Sequence, residues 1–479
     1  MSKLPSSLME VTRTLTDRAH AADFTFGEDT AIVAVQHMLW QTIDLFEAAT
    51  VLGIKRENIL ALGKVYSNSN VVIGALRDRG VNVIESTLPP PGEFDRCFES
   101  DVHRLWELVS RVVPKRRIKR ILVLDDGGKC ITAIPHELLK RYEVSGVEQT
   151  SFGMFRLETT PPAFPVMSWA RAAVKLQIGG PLFSHCLLLR LQTRCLGGAV
   201  LTRKKLGIIG LGSIGSATAH LAVRQQNEVI FFDPDPCVQV PSYLEGRIER
   251  VNSLEELMLR CEYVFGCSGR NPFKHRWPLR YRPGIKLFSA SGGDQEFGPI
   301  IRELKKNGDF KVAERSWDIS SDNGPSGPIS IAYNGYPYNF VSRDIEAVPT
   351  GVVQVETGGL LVGLIQARIH LQLCERCRAG NCGIHRISPE AQRLVYETWL
   401  TAMKGRRIDL QEVYACDPDM LAAARNQWWF REKSEPHPSP IYEPHRATEE
   451  AMARLVEGRS TSQLGDRDER NLEPDLCSR

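Results

Sequence analysis

The stretch LGIIGLGSIGSATAHL, residues 206–221, is the most informative part of the chain. Three glycines, Gly210, Gly212 and Gly215, stand in GxGxxG spacing between an apolar strand and an alanine-rich helix. The first glycine permits a tight turn, the second lets a pyrophosphate approach the backbone, and the third lets the helix pack closely on the strand. The stretch therefore predicts a dinucleotide-binding turn.

The residues around this turn indicate which dinucleotide it binds. Ser213 and Ile214 begin the helix, whose N-terminal N–H groups face the phosphates, and they belong to the predicted cofactor site. Asp233 ends the next strand, about 20 residues beyond the turn. A carboxylate there bonds the ribose hydroxyls and repels a 2′-phosphate, so NAD is favoured over NADP.

Composition and charge narrow the class of protein. The 479 residues are too many for one core and predict two or three domains. Lys and Arg number 60 against 57 Asp and Glu. A net charge of +3 is too small to indicate a nucleic-acid-binding protein. The sequence shows neither a signal peptide nor a membrane-spanning run. Twelve cysteines then predict free thiols in a reducing cytoplasm.

Alternating strand and helix patterns predict the fold class: α/β, with two Rossmann-like parallel-sheet domains. Residues 30–54, TAIVAVQHMLWQTIDLFEAATVLGI, have a helical period and predict a helix that contains His37. Asp125 and Asp126 end a buried strand, where ligands bind on such sheets. The predicted units are a substrate domain over 1–188, an NAD-binding domain over 189–348, helices that return to the substrate domain over 349–432, and a flexible tail over 433–479.

Several short blocks, in this order along the chain, resemble the S-adenosylhomocysteine hydrolase (adenosylhomocysteinase) family. They are QHMLWQT, YSNSN, VLDDGGK, GVEQTSFG, SASGGDQEFG and GYPYNFV. The resemblance covers about residues 30–373 and implies a substrate domain followed by an NAD domain. It also implies chemistry in which bound NAD⁺ oxidises a ribose 3′-hydroxyl, homocysteine is eliminated, water adds, and the ketone is reduced again. The D-2-hydroxyacid dehydrogenases are the alternative for the fold.

Carried over one residue at a time, the resemblance keeps the cofactor side. Thr150, Ser151 and Asn339 match positions that contact NAD in the family. His37 matches the histidine of the first-helix motif and Asp126 the aspartate of the Asp-Asp-Gly-Gly turn. These two are the candidate catalytic residues, His37 as acid or base and Asp126 as base.

The substrate side departs from the family. The second glutamate of the Glu-Glu-Thr-Thr-Thr-Gly stretch falls on Gln149, which cannot take a proton, and one family histidine becomes Gly292 while another falls near Glu346. The family lysine falls near Ala173. Lys175, two residues further, would point to the opposite side of a helix and is the third catalytic candidate. These losses predict that adenosylhomocysteine hydrolysis is gone.

A cysteine and histidine cluster follows the last matching helix. The stretch CERCRAGNCGIH contains four possible zinc ligands within twelve residues: Cys374, Cys377, Cys382 and His385. Their spacing predicts that they can bind a structural zinc ion in tetrahedral geometry. The alternative is a set of reduced cysteines on a helix end and a loop.

Two functions remain open. The first is an NAD-dependent redox enzyme that acts on a small, nucleoside-like molecule, with a homo-oligomer as a further expectation from the family. The second is a catalytically silent NAD- or nucleoside-binding protein that senses or partners. The sequence also leaves open that His37 is a core histidine and that Asp125 and Asp126 cap the next helix.

Overall fold

The computed structural model describes residues 8–273, 280–308, 310–341, 350–373, 382–403, 441–442 and 444–460. Within these ranges the chain forms two eight-stranded sheets with helices packed on them. The α/β fold class predicted from strand–helix alternation is confirmed.

The first sheet is parallel between all of its neighbouring strands. Its spatial order is β16-β15-β6-β5-β4-β1-β2-β3, with strands β1 Thr30–Gln36, β2 Ile59–Gly63, β3 Asn82–Ile84, β4 Arg120–Asp125, β5 Glu143–Glu148, β6 Pro165–Ser168, β15 Gly383–Arg386 and β16 Ile441–Tyr442. The helices that accompany it are α1 Glu10–Ala21, α2 Trp40–Val51, α3 Asn70–Asp78, α4 Phe94–Val112, α5 Lys129–Thr132, α6 His136–Arg141 and α7 Ser151–Thr159.

The second sheet has the order β12-β13-β14-β11-β10-β7-β8-β9. Its strands are β7 Lys205–Ile209, β8 Glu228–Phe232, β9 Ile248–Arg250, β10 Tyr263–Gly266, β11 Ile285–Ser289, β12 Lys311–Val312, β13 Ile319–Gly324 and β14 Gly327–Ile331. Six neighbouring strands of this sheet are parallel, in the spatial order β14-β11-β10-β7-β8-β9. Beyond β14, β13 pairs antiparallel with β14 and β12 pairs antiparallel with β13. Helices α8 Gly180–Cys195, α9 Ser213–Arg224, α10 Leu254–Arg260 and α11 Gly298–Lys306 belong to this half.

The single helix predicted over residues 30–54 is wrong in its first third. Thr30–Gln36 is the fully buried strand β1, paired in parallel with β2 on one side and β4 on the other, and the helix begins only at Trp40. A short run of buried apolar residues satisfies both the helical and the strand period. His37 therefore lies at the carboxyl end of a strand rather than inside a helix.

After the second sheet the chain returns to the first. Helix α12, Thr350–Leu373, packs on α2, α1 and β5, and α13, Pro389–Met403, packs on α12. Gly359 in α12 lies against the indole of Trp169, where a β-carbon would be 1.9 Å from a ring atom. Helix α14, Arg446–Glu457, buries Met452 and Leu455 against α1, α12 and α13. This part of the predicted flexible tail is thus packed on the first half.

No helix in the described ranges combines the length and the apolar composition that a membrane crossing requires.

Candidate functional site

Three side chains meet where β1, β2 and β4 of the first sheet end. His37 follows β1, Lys64 follows β2 and Asp126 follows β4. The His37 Nε2 atom lies 3.1 Å from Asp126 Oδ2, and the Lys64 ammonium is paired with Asp126 Oδ1. Lys64 and Asp126 are both buried, with 3% and 4% of their surface exposed. We call this His37–Asp126–Lys64 group, which lies at the carboxyl ends of three strands, the carboxylate cluster.

Burial and charge pairing set the protonation states in the cluster. Burial alone would raise the pKa of Asp126, but the Lys64 charge and the His37 hydrogen bond outweigh it and hold this pKa well below its usual range. Burial opposes the charge on Lys64 as well, yet Asp126 raises the Lys64 pKa above its usual value. Burial lowers the pKa of His37 despite Asp126, and the charges of Lys64 and Lys175 lower it further. The cluster therefore holds an ion pair beside a neutral imidazole.

These states assign the imidazole tautomer and revise one role. Since ionised Asp126 can only accept, His37 Nε2–H donates to it, and His37 Nδ1 accepts from the Ser67 hydroxyl at 2.6 Å. A carboxylate with so low a pKa is a poor base, so Asp126 orients His37. Lys64 was absent from the sequence-based candidates, although its place directly after an apolar strand, before the loop YSNSN, was a signal that could have found it.

The neighbouring strand end supplies amide and carboxyl groups. The Gln149 side-chain amide donates to Asp126 Oδ2, and Gln36 Nε2 donates to Gln149 Oε1 at 2.8 Å. Gln149 thus holds the cluster without exchanging a proton. Asp125 accepts from Ile131 N at 2.9 Å in the first turn of helix α5, and burial raises its pKa to about 6. The capping interpretation therefore describes Asp125.

The glycine turn in the second sheet has the shape that a dinucleotide requires. Gly210 has φ +88°, and a β-carbon there would be 2.5 Å from Ser268 Cα. A β-carbon on Gly215 would be 1.9 Å from Gly210 O, so only glycine lets α9 pack on the turn. Gly212 has open space beside it. The helix begins at Ser213, so its first N–H groups border this space.

Asp233 lies directly after β8 and is held by the turn. Its Oδ2 accepts from Leu211 N at 2.7 Å and its Oδ1 accepts from Asp235 N at 2.8 Å. Both oxygens keep lone pairs, so the carboxylate can also accept from ribose hydroxyls. Ile214 lies in the same first turn of α9, where its carbonyl accepts from Ser184.

Three residues outside the turn were predicted to contact NAD: Thr150 and Ser151 lie at the start of α7, and Asn339 lies in the second half. Thr150 caps α7 by accepting from Gly153 N at 2.9 Å, and Ser151 is the half-buried first residue of that helix. Asn339 is buried, and its Nδ2 has no hydrogen-bond partner within the described ranges. A buried amide donor of this kind fits a bound polar group such as the cofactor.

The two halves of the chain meet over the carboxylate cluster. The Phe340 ring lies 4.3 Å from the His37 ring, and Tyr66 stacks on Tyr336 at 5.0 Å. The Tyr333 hydroxyl donates to Tyr66 O at 2.6 Å. These contacts bring the second half within reach of His37 and give the imidazole an apolar cover.

Lys175 lies at the start of a helical turn that is not α-helical. Residues Lys175–Gly179 form a π-helix, and the opposite-side placement of Lys175 relative to Ala173 stays a prediction. The Lys175 ammonium donates to Glu356 Oε2 at 2.7 Å, and its charge reaches His37.

The predicted zinc cluster gains no support. Cys374 and Cys377 lie outside the described residues. The Cys382 thiol donates to Ala163 O at 3.1 Å, and the His385 ring lies 4.8 Å from His370. Across the described ranges, no three His, Cys, Asp or Glu side chains are grouped as metal ligands.

Comparison with known proteins gives a family match within the second half. Residues 191–275 match the family of the D-isomer specific 2-hydroxyacid dehydrogenase, NAD binding domain. This similarity indicates an NAD-binding domain of the dehydrogenase type in the segment. It runs from α8 past β10 and contains the whole glycine turn and Asp233.

Two curated relatives extend the similarity beyond this segment. They are the uncharacterized proteins MT0113 of Mycobacterium tuberculosis strain CDC 1551 / Oshkosh and Rv0104 of strain H37Rv, each 26% identical over 313 residues. The similar region is 64% of this chain and spans 58% of the length of each relative. Neither relative is named for an activity.

Proposed function

We propose that the chain is an NAD-dependent redox enzyme of adenosylhomocysteinase-like organisation, which oxidises a hydroxyl group on a small, nucleoside-like molecule. The observation that carries the proposal is the carboxylate cluster: a neutral imidazole, oriented by an ionised carboxylate, lies where the NAD-binding half meets the first sheet. The order of the family-like blocks supports the same organisation.

The cofactor side of this proposal rests on the glycine turn, Asp233 and Asn339. The open space beside Gly212 fits a pyrophosphate at the N-terminus of α9, and the Asp233 carboxylate fits the ribose hydroxyls. The unpartnered Asn339 Nδ2 fits a polar group at the other end of the dinucleotide. NAD, when bound, supplies a hydride acceptor.

The first sheet would handle the proton. Oxidation of an alcohol to a ketone releases one hydride and one proton, and His37 Nδ1 is the basic atom available once Ser67 gives up its hydrogen bond. Asp126 then stabilises the imidazolium through Nε2–H, as carboxylates do for catalytic histidines. Lys64 keeps Asp126 ionised, so the proton stays on His37 until the reverse step.

The same geometry predicts why hydrolysis of adenosylhomocysteine would be absent. Elimination requires a further base at the carbon next to the ketone and an acid at the leaving sulfur. Gln149 cannot transfer a proton, and Asp126 is tied to Lys64 with a low pKa. We therefore expect reversible oxidation of an alcohol without loss of a thiol.

The test starts with the protein as purified. Bound nicotinamide is measured by absorbance after denaturation, and the native protein is then mixed with adenosine, adenosylhomocysteine and a panel of simple polyols while absorbance at 340 nm is followed. His37→Asn should slow cofactor reduction at least ~100-fold, the usual contribution of a general base. His103→Asn, at an exposed position in α4, is the matched control and should leave the rate unchanged.

Each outcome separates the two functions. Bound NAD that becomes reduced supports the enzyme. Bound NAD that stays oxidised with every alcohol supports the silent binding protein, which the Phe340 ring over His37 also favours because it covers the base. A protein that neither carries nicotinamide nor takes it up on titration contradicts both.

A further inference from the structure

The turn that carries Lys175 joins the two halves of the molecule. The π-helix Lys175–Gly179 runs directly into α8, and Leu176 O accepts from the Ser213 hydroxyl at the start of α9. Lys175 therefore lies beside the cofactor turn while its charge also reaches His37. A flexible lysine side chain at such a position requires a partner to hold it, because it loses rotamer freedom when it is fixed.

That partner comes from a distant part of the chain. Glu356 in α12 accepts on one oxygen, Oε2, both the Lys175 ammonium at 2.7 Å and the Trp169 indole N–H at 2.9 Å. Its side chain is only 12% exposed, and Oε1 is buried without a hydrogen-bond partner among the described residues. A half-satisfied buried carboxylate costs free energy, and among the described residues Lys175 is the cation that compensates its charge.

Gly179 explains how the carboxylate fits. A β-carbon on Gly179 would lie 2.0 Å from Glu356 Oε1. The backbone of Gly179 has φ −61° and ψ −44°, an ordinary helical conformation that any residue adopts. Since glycine costs about 1 kcal/mol relative to alanine inside a helix, the reason for glycine here is room, not conformation.

We propose that Glu356 is a positioning residue, which holds the Lys175 ammonium at the junction of the two sheets in the room that Gly179 leaves. Lys175 thereby presents its remaining N–H groups to a substrate oxygen next to His37. The inference rests on the proposed function for that last role, but the placement of Lys175 by Glu356 can be measured without any substrate.

The measurement is the titration of the His37 imidazole by NMR, with the signal assigned by its loss in His37→Asn. Lys175→Met removes the nearby charge and should raise the His37 pKa by about 0.3–1, as expected for one charge in a partly solvated cleft. Glu356→Ala removes the carboxylate charge and also frees Lys175, so it is compared with Glu356→Gln, which removes the same charge but keeps an acceptor. The His37 pKa should be higher in Glu356→Ala than in Glu356→Gln. Glu356→Gln keeps an oxygen acceptor for both donors and should leave the His37 pKa at or below its wild-type value.

A relocation variant distinguishes positioning from a structural role. Gly179→Asp combined with Glu356→Ala returns a carboxylate to within reach of Lys175 and should restore the wild-type titration. Gly179→Ala alone should displace the Glu356 carboxylate and raise the His37 pKa, with circular dichroism and bound nicotinamide checked for each variant.

Two results would overturn the inference. One is a Glu356→Ala titration no higher than that of Glu356→Gln while Lys175→Met shifts the His37 pKa. The other is a Lys175→Met variant with unchanged titration, which would mean that Lys175 is not held near His37. Failure of the redox function is seen separately, as wild-type protein whose bound NAD is never reduced.

Discussion

Replacing Lys64 tests whether the carboxylate cluster is a coupled ion pair. Lys64→Met leaves the Asp126 carboxylate buried, with only the Gln149 amide and the His37 N–H as donors. Both partners of the pair are only 4% exposed at their side chains, so solvent screens the loss little. Removing one partner of a buried pair costs about 3–5 kcal/mol, and we expect a loss of this size in the free energy of unfolding at pH 7.

The effect should depend on pH with a definite sign. The pKa of Asp126 is depressed in the folded wild-type chain, so its stabilisation is present above the unfolded value of about 3.9 and is lost as the pH falls through and below it. In Lys64→Met, burial dominates and Asp126 takes up a proton at higher pH. The difference in stability between the two chains should therefore be largest near neutral pH and shrink toward pH 4.

Guanidinium denaturation, followed by circular dichroism and tryptophan fluorescence between pH 4 and 8, measures this difference. Lys64→Met combined with Asp126→Asn leaves no bare charge and should be less destabilised than Lys64→Met alone. Lys205→Met is the control, because its pair with Glu228 is 32% and 56% exposed and should contribute at most ~1 kcal/mol. A pH-independent loss, or a double variant as unstable as the single one, would refute the coupling.

Three further predictions concern the NAD-binding half. Gly215→Ala forces a β-carbon against Gly210 O and should cost about 1–3 kcal/mol of stability and abolish NAD binding measured by calorimetry; unchanged affinity would contradict the turn geometry. Asp233→Asn should weaken NAD binding about tenfold and reduce the preference for NAD over NADP, which competition titrations will show. Burial raises the pKa of Glu296 to about 7, above the unfolded value of about 4.3, so the folded chain holds a proton that the unfolded chain releases. Stability should thus decline from pH 4.5 to 7, and Glu296→Gln should flatten the decline in urea midpoints; an equal slope in both chains would disprove it.

The second sheet was predictable because one short pattern fixes several things at once. The spacing of Gly210 and Gly215 determines both the backbone turn and the close packing of the helix on it, so this structure can be predicted from adjacent residues alone. Thr30–Gln36 shows the opposite case. Its buried apolar run fits two periods, and only pairing with β2 and β4 decides that it is a strand.

The candidate site was predictable only in part, because its key contacts join distant segments. A lysine after a strand is ordinarily solvent-exposed, but Lys64 is buried: its ammonium pairs with Asp126 at the end of a strand of the same sheet and lies 5.9 Å from the centre of the Phe98 ring. Glu356 contacts Lys175 from helix α12, which follows the NAD-binding half along the chain, and no local sequence pattern links the two residues. The π-helix Lys175–Gly179 departs from the regular helical period, so the sequence pattern does not reveal it.

The strand β15 pairs with β6, although the entire second sheet lies between them along the chain. During synthesis, β6 leaves the ribosome long before its neighbour exists, so its outer edge waits with unpaired N–H and C=O groups while the NAD-binding half is made. Domains fold largely as units as they emerge. The inserted half can therefore be complete before the first sheet closes, and a truncation just before β15 would leave a chain competent to hold cofactor but with an open, aggregation-prone edge.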